Sequence, residues 1–579
     1  MRRSVSAILL VLGGLTVSAR PAGADPLDWV PPSGQLLLVS DQPRRLADAV
    51  TSLPAFQHVQ TLGSVRELYD SATARRLLQL LGYAEKTLGA KWPELLDQLG
   101  GKGVALAVQL GQDPAPILLV AEAKDEQQLT KALALAAQLI DAELARQGQP
   151  GRLQWMKSGP VERASLGAEA HFARVGSTLL VSNKAESLTA ALERGKASAK
   201  PQPHKARTDT ARLLPPYPLA WAWLDFAAVK QSQEAKDFFD SSRGQFLVTL
   251  AAGTTIDCLR RADCVALGLY PEPKGFRLAL RIPAGRDGLW DDLVLHVPPK
   301  GTPGSLPLLE PPGTIVSQSM YQDLAYLWKN RDRLITGDDR KNFEEAEKQI
   351  SKILPGSVKL GEFIQMWGPY HRLVVVNHDT RPYKKQPGLM LPAIGYVATM
   401  RDKKFGSTAD IIGRSAGIVG SLQFGLKLIE HDVDGITLVS YRFPENKDLP
   451  DDPDGIRFNF EPCFAVVGDE FMVASTVELG KKLIAELKKP RRADSSPAVI
   501  RIRGSAKEAA EVLTGFADPL ITDAVLGRGI GLADAKKEVA DIIAFVRTLG
   551  SVRFELDVTD TEYRVDVVWE GNGRLTGRR

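Results

Sequence analysis

Phe172-Ala173-Arg174-Val175-Gly176-Ser177-Thr178-Leu179-Leu180-Val181-Ser182-Asn183-Lys184-Ala185-Glu186 and Phe464-Ala465-Val466-Val467-Gly468-Asp469-Glu470-Phe471-Met472-Val473-Ala474-Ser475-Thr476-Val477-Glu478 state one pattern twice. Each reads as a strand, a two-residue turn that begins with glycine, a second strand and a helix start. Gly-Ser and Gly-Asp suit a type II′ hairpin, whose first turn residue needs a positive φ. Asn183 with Glu186, and Ser475 with Glu478, have the spacing of a capping box. Helical spacing follows, with Leu188 and Leu192 in one copy and Leu479, Leu483 and Leu487 in the other.

Working outward, the flanks repeat as well. Val30-Pro31-Pro32-Ser33-Gly34 leads into the apolar run Gln35 to Ser40, and Glu310-Pro311-Pro312-Gly313 leads into Thr314 to Ser317. Prolines fit the turn before a strand better than its interior. Val104 to Val108 and Ile117 to Ala121 read as antiparallel partners; their counterparts are His371 to Val376 and Ile394 to Ala398. The helix after Asp125 carries Leu129, Leu133, Ala136, Ile140 and Leu144 at steps of three and four. Its counterpart is interrupted by Gly413, Gly417 and Gly420, each costing about 1 kcal/mol against alanine, so a frayed helix or a loop is expected there.

Both copies of the hairpin and helix then enter a basic connector, Lys196 to Arg207 or Lys488-Lys489-Pro490-Arg491-Arg492. Such runs read as solvated linkers, with a contact for an acidic polymer as the rarer alternative. A smaller lobe closes each half. Leu219 to Leu224 runs into Asp225, and Ala498 to Ile502 runs toward Ser505; both residues are suited to cap a helix. Phe276-Arg277 aligns with Tyr563-Arg564 in the last strand pair. Pro31 and Pro311 lie 280 positions apart, Phe172 and Phe464 292, Phe276 and Tyr563 287. The period is too long for a solenoid repeat and fits two similar halves.

Arg2 and Arg3, a short apolar run from Ala7 to Val17, and Ala22-Gly23-Ala24 form an export signal cleaved before Asp25. That run is well short of the ~20 residues a membrane span needs, and no later stretch is long and apolar enough to span. Cleavage removes Arg2, Arg3 and Arg20 and no acid, three positive charges, which takes the formal net charge from +4 to +1. That balance provides no global field for nucleic acid or anionic lipid. Three cysteines (Cys258, Cys264 and Cys463) are too few for a disulfide framework. Pairing of Cys258 with Cys264 and burial of all three as small apolar groups both stay open.

Among motifs, Gly527-Arg528-Gly529-Ile530-Gly531 lacks the spacing and preceding strand of a dinucleotide fingerprint and reads as a loop. P-loop, zincin and nucleophile-elbow patterns do not occur. His378-Asp379 and His431-Asp432 place a histidine beside a carboxylate, yet catalysis needs geometry and not adjacency, so solvated loops are expected. The best candidate is Asp451-Asp452-Pro453-Asp454-Gly455 with Glu461. Asp452, Asp454, Gly455 and Glu461 fall at positions three, five, six and twelve of a calcium loop, while Pro450 at position one cannot coordinate through its side chain. Ile456 to Phe460 alternates like a strand, so an acidic turn is favoured over calcium. Trp221 with Trp223, and Phe458 with Phe460, read as core or cross-strand pairs.

The Phe-Ala-x-Val-Gly-Asp-type hairpins, each followed by a helix, resemble those of uncharacterised exported bacterial proteins of the domain-of-unknown-function kind. Pro311-Pro312-Gly313 before a strand and Leu99-Gly100 at a helix end belong to the same resemblance. It implies an envelope or secreted location and no established reaction, and it assigns no catalytic residue.

The sequence thus predicts an α+β protein of two homologous halves. Each is an antiparallel sheet covered on one face by helices, with a smaller closing β/α lobe. The expected segments are a signal peptide (1–24), main lobes at 25–200 and 314–490, closing lobes at 208–297 and 497–575, and a Pro/Gly-rich linker at 298–313. The leading function is a non-catalytic exported envelope protein, a scaffold or binding module, with an envelope protein or polymer as partner, no nucleic acid and no cofactor. Two alternatives stand beside it. One is an extracytoplasmic hydrolase whose site assembles from distant segments; the other is a calcium-dependent adhesion module through Asp452, Asp454 and Glu461.

Overall fold

Both signature segments form hairpins. Gly176 (φ +56°) and Gly468 (φ +64°) take the positive φ at the first turn position, while Ser177 and Asp469 do not, as a type II′ turn requires. The computed structural model describes residues 25–572 except 61, 147, 149–154, 197–202, 243–244, 336, 354–358, 378–381, 447–451 and 491–495. The export signal and His378-Asp379 therefore lie outside the described residues.

The described chain forms two compact units, one of residues 25–46 and 80–208 and the other of 47–79 and 209–572. The first holds β1 (Leu36–Ser40), β2 (Gly103–Val108), β3 (Ile117–Glu122), β4 (Met156–Ser158), β5 (Val161–Leu166), β6 (Ala170–Val175) and β7 (Thr178–Ser182). They pair antiparallel in the order β1-β2-β3-β7-β6-β5-β4. Helix α1 (Glu126–Arg146) follows β3, and α2 (Ala185–Lys196) lies against β3, β6 and β7 with Leu188 and Leu192 buried.

The second unit begins with β8 (Ala220–Asp225), α3 (Phe246–Arg261), β9 (Cys264–Glu272) and β10 (Gly275–Ile282). Then come β11 (Thr314–Tyr321), β12 (Trp367–Val376), β13 (Ala393–Met400), α4 (Lys404–Phe424), β14 (Lys427–Val433) and β15 (Ile436–Arg442). Next are β16 (Cys463–Val467), β17 (Glu470–Ala474), α5 (Val477–Lys488) and β18 (Ile500–Ser505). Last are α6 (Ala506–Gly515), α7 (Ala517–Arg528), α8 (Leu532–Thr548), β19 (Ser551–Val558) and β20 (Tyr563–Glu570). The strands run antiparallel in the order β8-β9-β10-β20-β19-β18-β11-β12-β13-β17-β16-β15-β14. Strand for strand, β11 to β17 repeat the order of β1 to β7.

The repeat and the compact units divide the chain differently, because β10 pairs with β20 from Gly275↔Glu570 to Ile282↔Tyr563. The first closing strands thereby join the sheet of the second half. The equivalence that aligns Phe276 with Tyr563 aligns Ala279 with Asp566, and those two residues face each other in the register. A local two-fold relation between the copies therefore passes through the middle of this strand pair.

Several local expectations need amendment. Asn183 and Ser475 do not cap the helices they precede. The Asn183 Oδ1 accepts from the Ile117 N–H at 2.7 Å, and the Ser475 Oγ accepts from the Ile394 N–H at 2.9 Å. Both use their side chain to bind a backbone N–H at the start of the neighbouring strand; Thr476 caps α5 instead, accepting from the Leu479 N–H at 3.3 Å. The expected caps Asp225 and Ser505 do form, to Ala228 and Glu508. His431-Asp432 lies in β14, in the hairpin closed by Asp434-Gly435, not in a loop. Ile456–Asn459 is a short 3-10 turn instead of a strand, with Phe458 buried against Tyr383.

The largest amendment concerns α4, an unbroken helix over Lys404–Phe424. A Cβ on Gly413 would stand 2.6 Å from the Phe464 ring, and one on Gly417 1.9 Å from the Tyr441 ring. The absence of a Cβ at these positions is what lets the helix lie on β15 and β16, and the Tyr441 hydroxyl donates to the Gly413 carbonyl at 2.6 Å. Close packing outweighs the glycines' low helix propensity. Helix α5 covers one face of this sheet over Val374, Val397, Cys463 and Met472, and α4 adds a layer on the other over Val439, Phe464 and Phe471. Gly417→Ala is expected to lower the unfolding free energy by about 1–3 kcal/mol through overpacking, read as a shifted denaturant midpoint.

Candidate functional site

Glu470 is a charged residue at an inward position of β17, whose other inward side chains are Met472 and Ala474. It faces Thr399 across β13. In the first unit the same cross-strand position holds Glu122 on β3 and Thr178 on β7, with carboxylate and threonine exchanged. Glu122 is satisfied by the Ser177 hydroxyl at 2.6 Å and the Thr178 hydroxyl at 2.5 Å. Glu470 instead pairs with the guanidinium of Arg372 on β12, both side chains being buried. A guanidinium supplies a fork of donors that matches a carboxylate, so this buried acid needs no hydroxyl of its own.

This pair forms one wall of a cavity of about 380 Å³. The roof is the end of the Pro/Gly-rich linker, Leu306 to Glu310. Arg501 of β18 lines the floor, and Glu486, Leu487, Lys489 and Pro490 at the end of α5 close the side. The linker is held from below. The Arg501 Nε donates to the Ser305 Oγ at 3.1 Å and its Nη2 to the Leu306 carbonyl at 2.5 Å. Ser305 donates to the Ala498 carbonyl at 2.7 Å, and a Cβ on Gly304 would meet the Pro497 carbonyl at 2.1 Å. Lys489 pairs with Glu486 at 2.5 Å, and Glu310 with Arg503 at 2.9 Å. The cavity thus presents Arg372, Lys489 and Arg501 with Glu310, Glu470 and Glu486 around apolar linker side chains. Such a lining can match a ligand's shape and its charges of both signs.

The residues picked out from sequence lie elsewhere. The Asp452 carboxylate accepts from the Ile456 N–H at 2.6 Å and from the Arg457 Nη1 at 2.7 Å, anchoring the short turn. Glu461 is buried 3.6 Å from Arg442, and burial pushes its carboxyl above the usual range. Asp454 is exposed, its carbonyl accepting from the Gly388 N–H at 2.7 Å. No group of three His, Cys, Asp or Glu side chains able to hold a metal occurs among the described residues. Cys258, Cys264 and Cys463 are free and buried, with burial pushing the Cys258 thiol up to about 11 and the Cys463 thiol up to about 12. Trp221 and Trp223 are core residues of β8.

A second polar cluster lies by β12 and β13. The His371 Nδ1 is 2.6 Å from the Tyr396 hydroxyl and its Nε2 3.0 Å from the Gln322 carbonyl. A carbonyl only accepts, so Nε2 carries the proton and Tyr396 donates to Nδ1, which fixes the neutral ring. Burial pushes His371 below its ordinary 6.5 and the Tyr396 hydroxyl above its usual range. His296 is half-buried and likewise held below its ordinary value by desolvation, 2.7 Å from the Leu250 carbonyl. These rings are committed to backbone carbonyls that join neighbouring elements.

No family model matches the chain, and no curated protein matches it. Among solved structures, crystal form I of TP0453 is similar over 46% of this chain and 82% of its own, at 12% identity and a TM-score of 0.24. Crystal form III of the same protein covers 80% of this chain and 98% of its own, at 8% identity and a TM-score of 0.18. Among the described residues no helix is long and apolar enough to cross a membrane.

Two outcomes check this geometry. Glu470→Gln is expected to cost about 3–5 kcal/mol in urea unfolding, because it strands a buried guanidinium. The double variant Arg372→Met/Glu470→Met should cost clearly less than the two single changes added together. For the histidine, the folded ring has a pKa below the unfolded 6.5, so the unfolded chain binds the proton first. Stability is then expected to fall as pH drops from about 6.5 toward the folded value, with a shallower slope in His371→Gln. Denaturant midpoints measured from pH 7.5 to 5 decide it, and equal slopes would remove His371 from the account.

Proposed function

We propose that the protein is a non-catalytic, exported envelope protein, a binding module or scaffold, and that the cavity beneath Leu306 to Glu310 receives its partner. One observation carries this reading: the cavity's charged groups are already matched, Arg372 with Glu470, Lys489 with Glu486 and Glu310 with Arg503. Paired charges, of which Arg372 and Glu470 are buried, favour selective recognition over proton transfer, since a general base needs a free lone pair near a reacting atom. The histidines His296 and His371 point to backbone carbonyls, which supports the same reading. Leu306 to Leu309 offer apolar contact along a short groove, suited to a segment of an envelope protein or polymer.

The test uses the full chain immobilised against a solubilised envelope fraction, followed by binding of the recovered partner in purified form. Wild type is expected to retain a partner that Leu308→Trp, which fills the groove, loses at an unchanged unfolding midpoint. Recovery of no partner, together with ester, peptide or glycoside turnover that Glu470→Gln abolishes, would replace this reading with a hydrolase.

A further inference from the structure

Helix α4 is buried in the ordinary way at its start, where Phe405 and Ala409 join the core. Farther along, Gly413 and Gly417 face Phe464 and Tyr441, which leave no room for a Cβ. The large apolar side chains of this second part stand outward: Ile411 is 54% exposed, Ile418 64%, Val419 53% and Leu422 83%. Ile411, Ile418 and Leu422 are seven and four residues apart on one face of the helix, with Arg414 and Ser415 between the first two. Phe424 at the helix end and Leu428 at the start of β14 are also exposed.

Between Ile411 and Leu428 the sequence carries charge only at Arg414 and Lys427. Arg414 is drawn aside by Asp410 at 2.8 Å and Glu430 at 2.6 Å, leaving the ridge itself uncharged. The ridge is bracketed by exposed lysines, Lys403 and Lys404 before it and Lys427 after it. An exposed apolar ridge of this size on a folded surface marks a contact site.

From this arrangement we propose that α4 is a lipid-contact element that lies in the headgroup region of an anionic bilayer, with the ridge among the upper acyl segments and the lysines at the phosphates. The charges choose between this occupant and a second copy of the chain. At the helix start Lys403 and Lys404 outnumber Asp402, and past its end Lys427 stands beside a Glu430 already paired with Arg414. Self-pairing therefore brings lysine against lysine whether the helices run parallel or antiparallel. An anionic surface satisfies both ends at once, each lysine adding to the attraction. Since no described helix is long and apolar enough to cross a membrane, α4 would lie on the bilayer and not through it. This inference is independent of the cavity and its partner.

Flotation of the full chain with vesicles tests it, using phosphatidylcholine alone or mixed in equal parts with phosphatidylglycerol. Wild type is expected to float with the mixed vesicles and to be released by salt. Ile418→Ser/Leu422→Ser should lower the bound fraction by more than about tenfold at an unchanged unfolding midpoint. Lys404→Gln/Lys427→Gln should abolish the preference for phosphatidylglycerol. Wild type that stays behind, or a serine variant that floats equally well, overturns the proposal. So does a concentration-dependent dimer that the serine variant loses, which would give the ridge to a second copy.

Discussion

The pairing of β10 with β20 is the constraint on which the second unit depends. A strand edge exposes unpaired N–H and C=O groups, and each closing lobe brings such an edge. Here the two edges satisfy each other over eight residues, from Gly275↔Glu570 to Ile282↔Tyr563. Arg281 reinforces the junction by reaching Asp566 at 2.9 Å. The register is centred near the equivalent residues Ala279 and Asp566, so each copy meets the other with the same part of its last strand. The consequence is topological: a chain that repeats in sequence closes into units that do not follow the repeat.

Once the sheet is continuous, its two faces need different partners. Helix α5 presents Leu479, Leu483 and Ile484 to Val374, Val397 and Met472, the ordinary solution of an amphipathic helix on an apolar sheet. The opposite face carries the rings of Tyr441, Phe464 and Phe471, which stand tall and fill the space where helix side chains would go. Where α4 passes over Phe464 and Tyr441 it can approach only with small residues inward, and this is the reason for Gly413 and Gly417. Phe405 and Ala409 fill the core at the helix start, while the apolar residues of its second part stand outward. Sheet aromatics, helix glycines and an exposed ridge are one linked solution.

The cavity arises from the same continuity. Strands β18 and β11 are neighbours, so the linker that precedes β11 runs alongside the segment that precedes β18, and Ser305 bridges to Ser496. Arg501 reaches up to hold the linker while Arg372 turns to Glu470. Two arginines thus enter a mostly apolar layer without being left as isolated charges, which low-dielectric surroundings would penalise. The swapped Glu122/Thr178 and Thr399/Glu470 pairs show one position filled by two chemistries. Where hydroxyls satisfy the acid it is internal; where a guanidinium does, the pair lines a cavity.

The sequence by itself determined the two signature hairpins, the strand pairs that precede them and the order in which these blocks recur, because turn glycines and alternating apolar runs are local signals. Asp434-Gly435, with both residues at positive φ, carries the same kind of turn signal, which the reading of His431-Asp432 as a solvated loop passed over. An inward charge in an apolar strand, Glu470 or Arg372, was the available hint of the cavity, but nothing local says which charge meets which. Tertiary structure alone decided three things: that β10 and β20 join, that α4 is a helix despite its glycines, and that Asn183 and Ser475 tie strands instead of capping helices. Each depends on residues distant in sequence competing for one backbone group or one volume, and a local pattern carries no information about that competition.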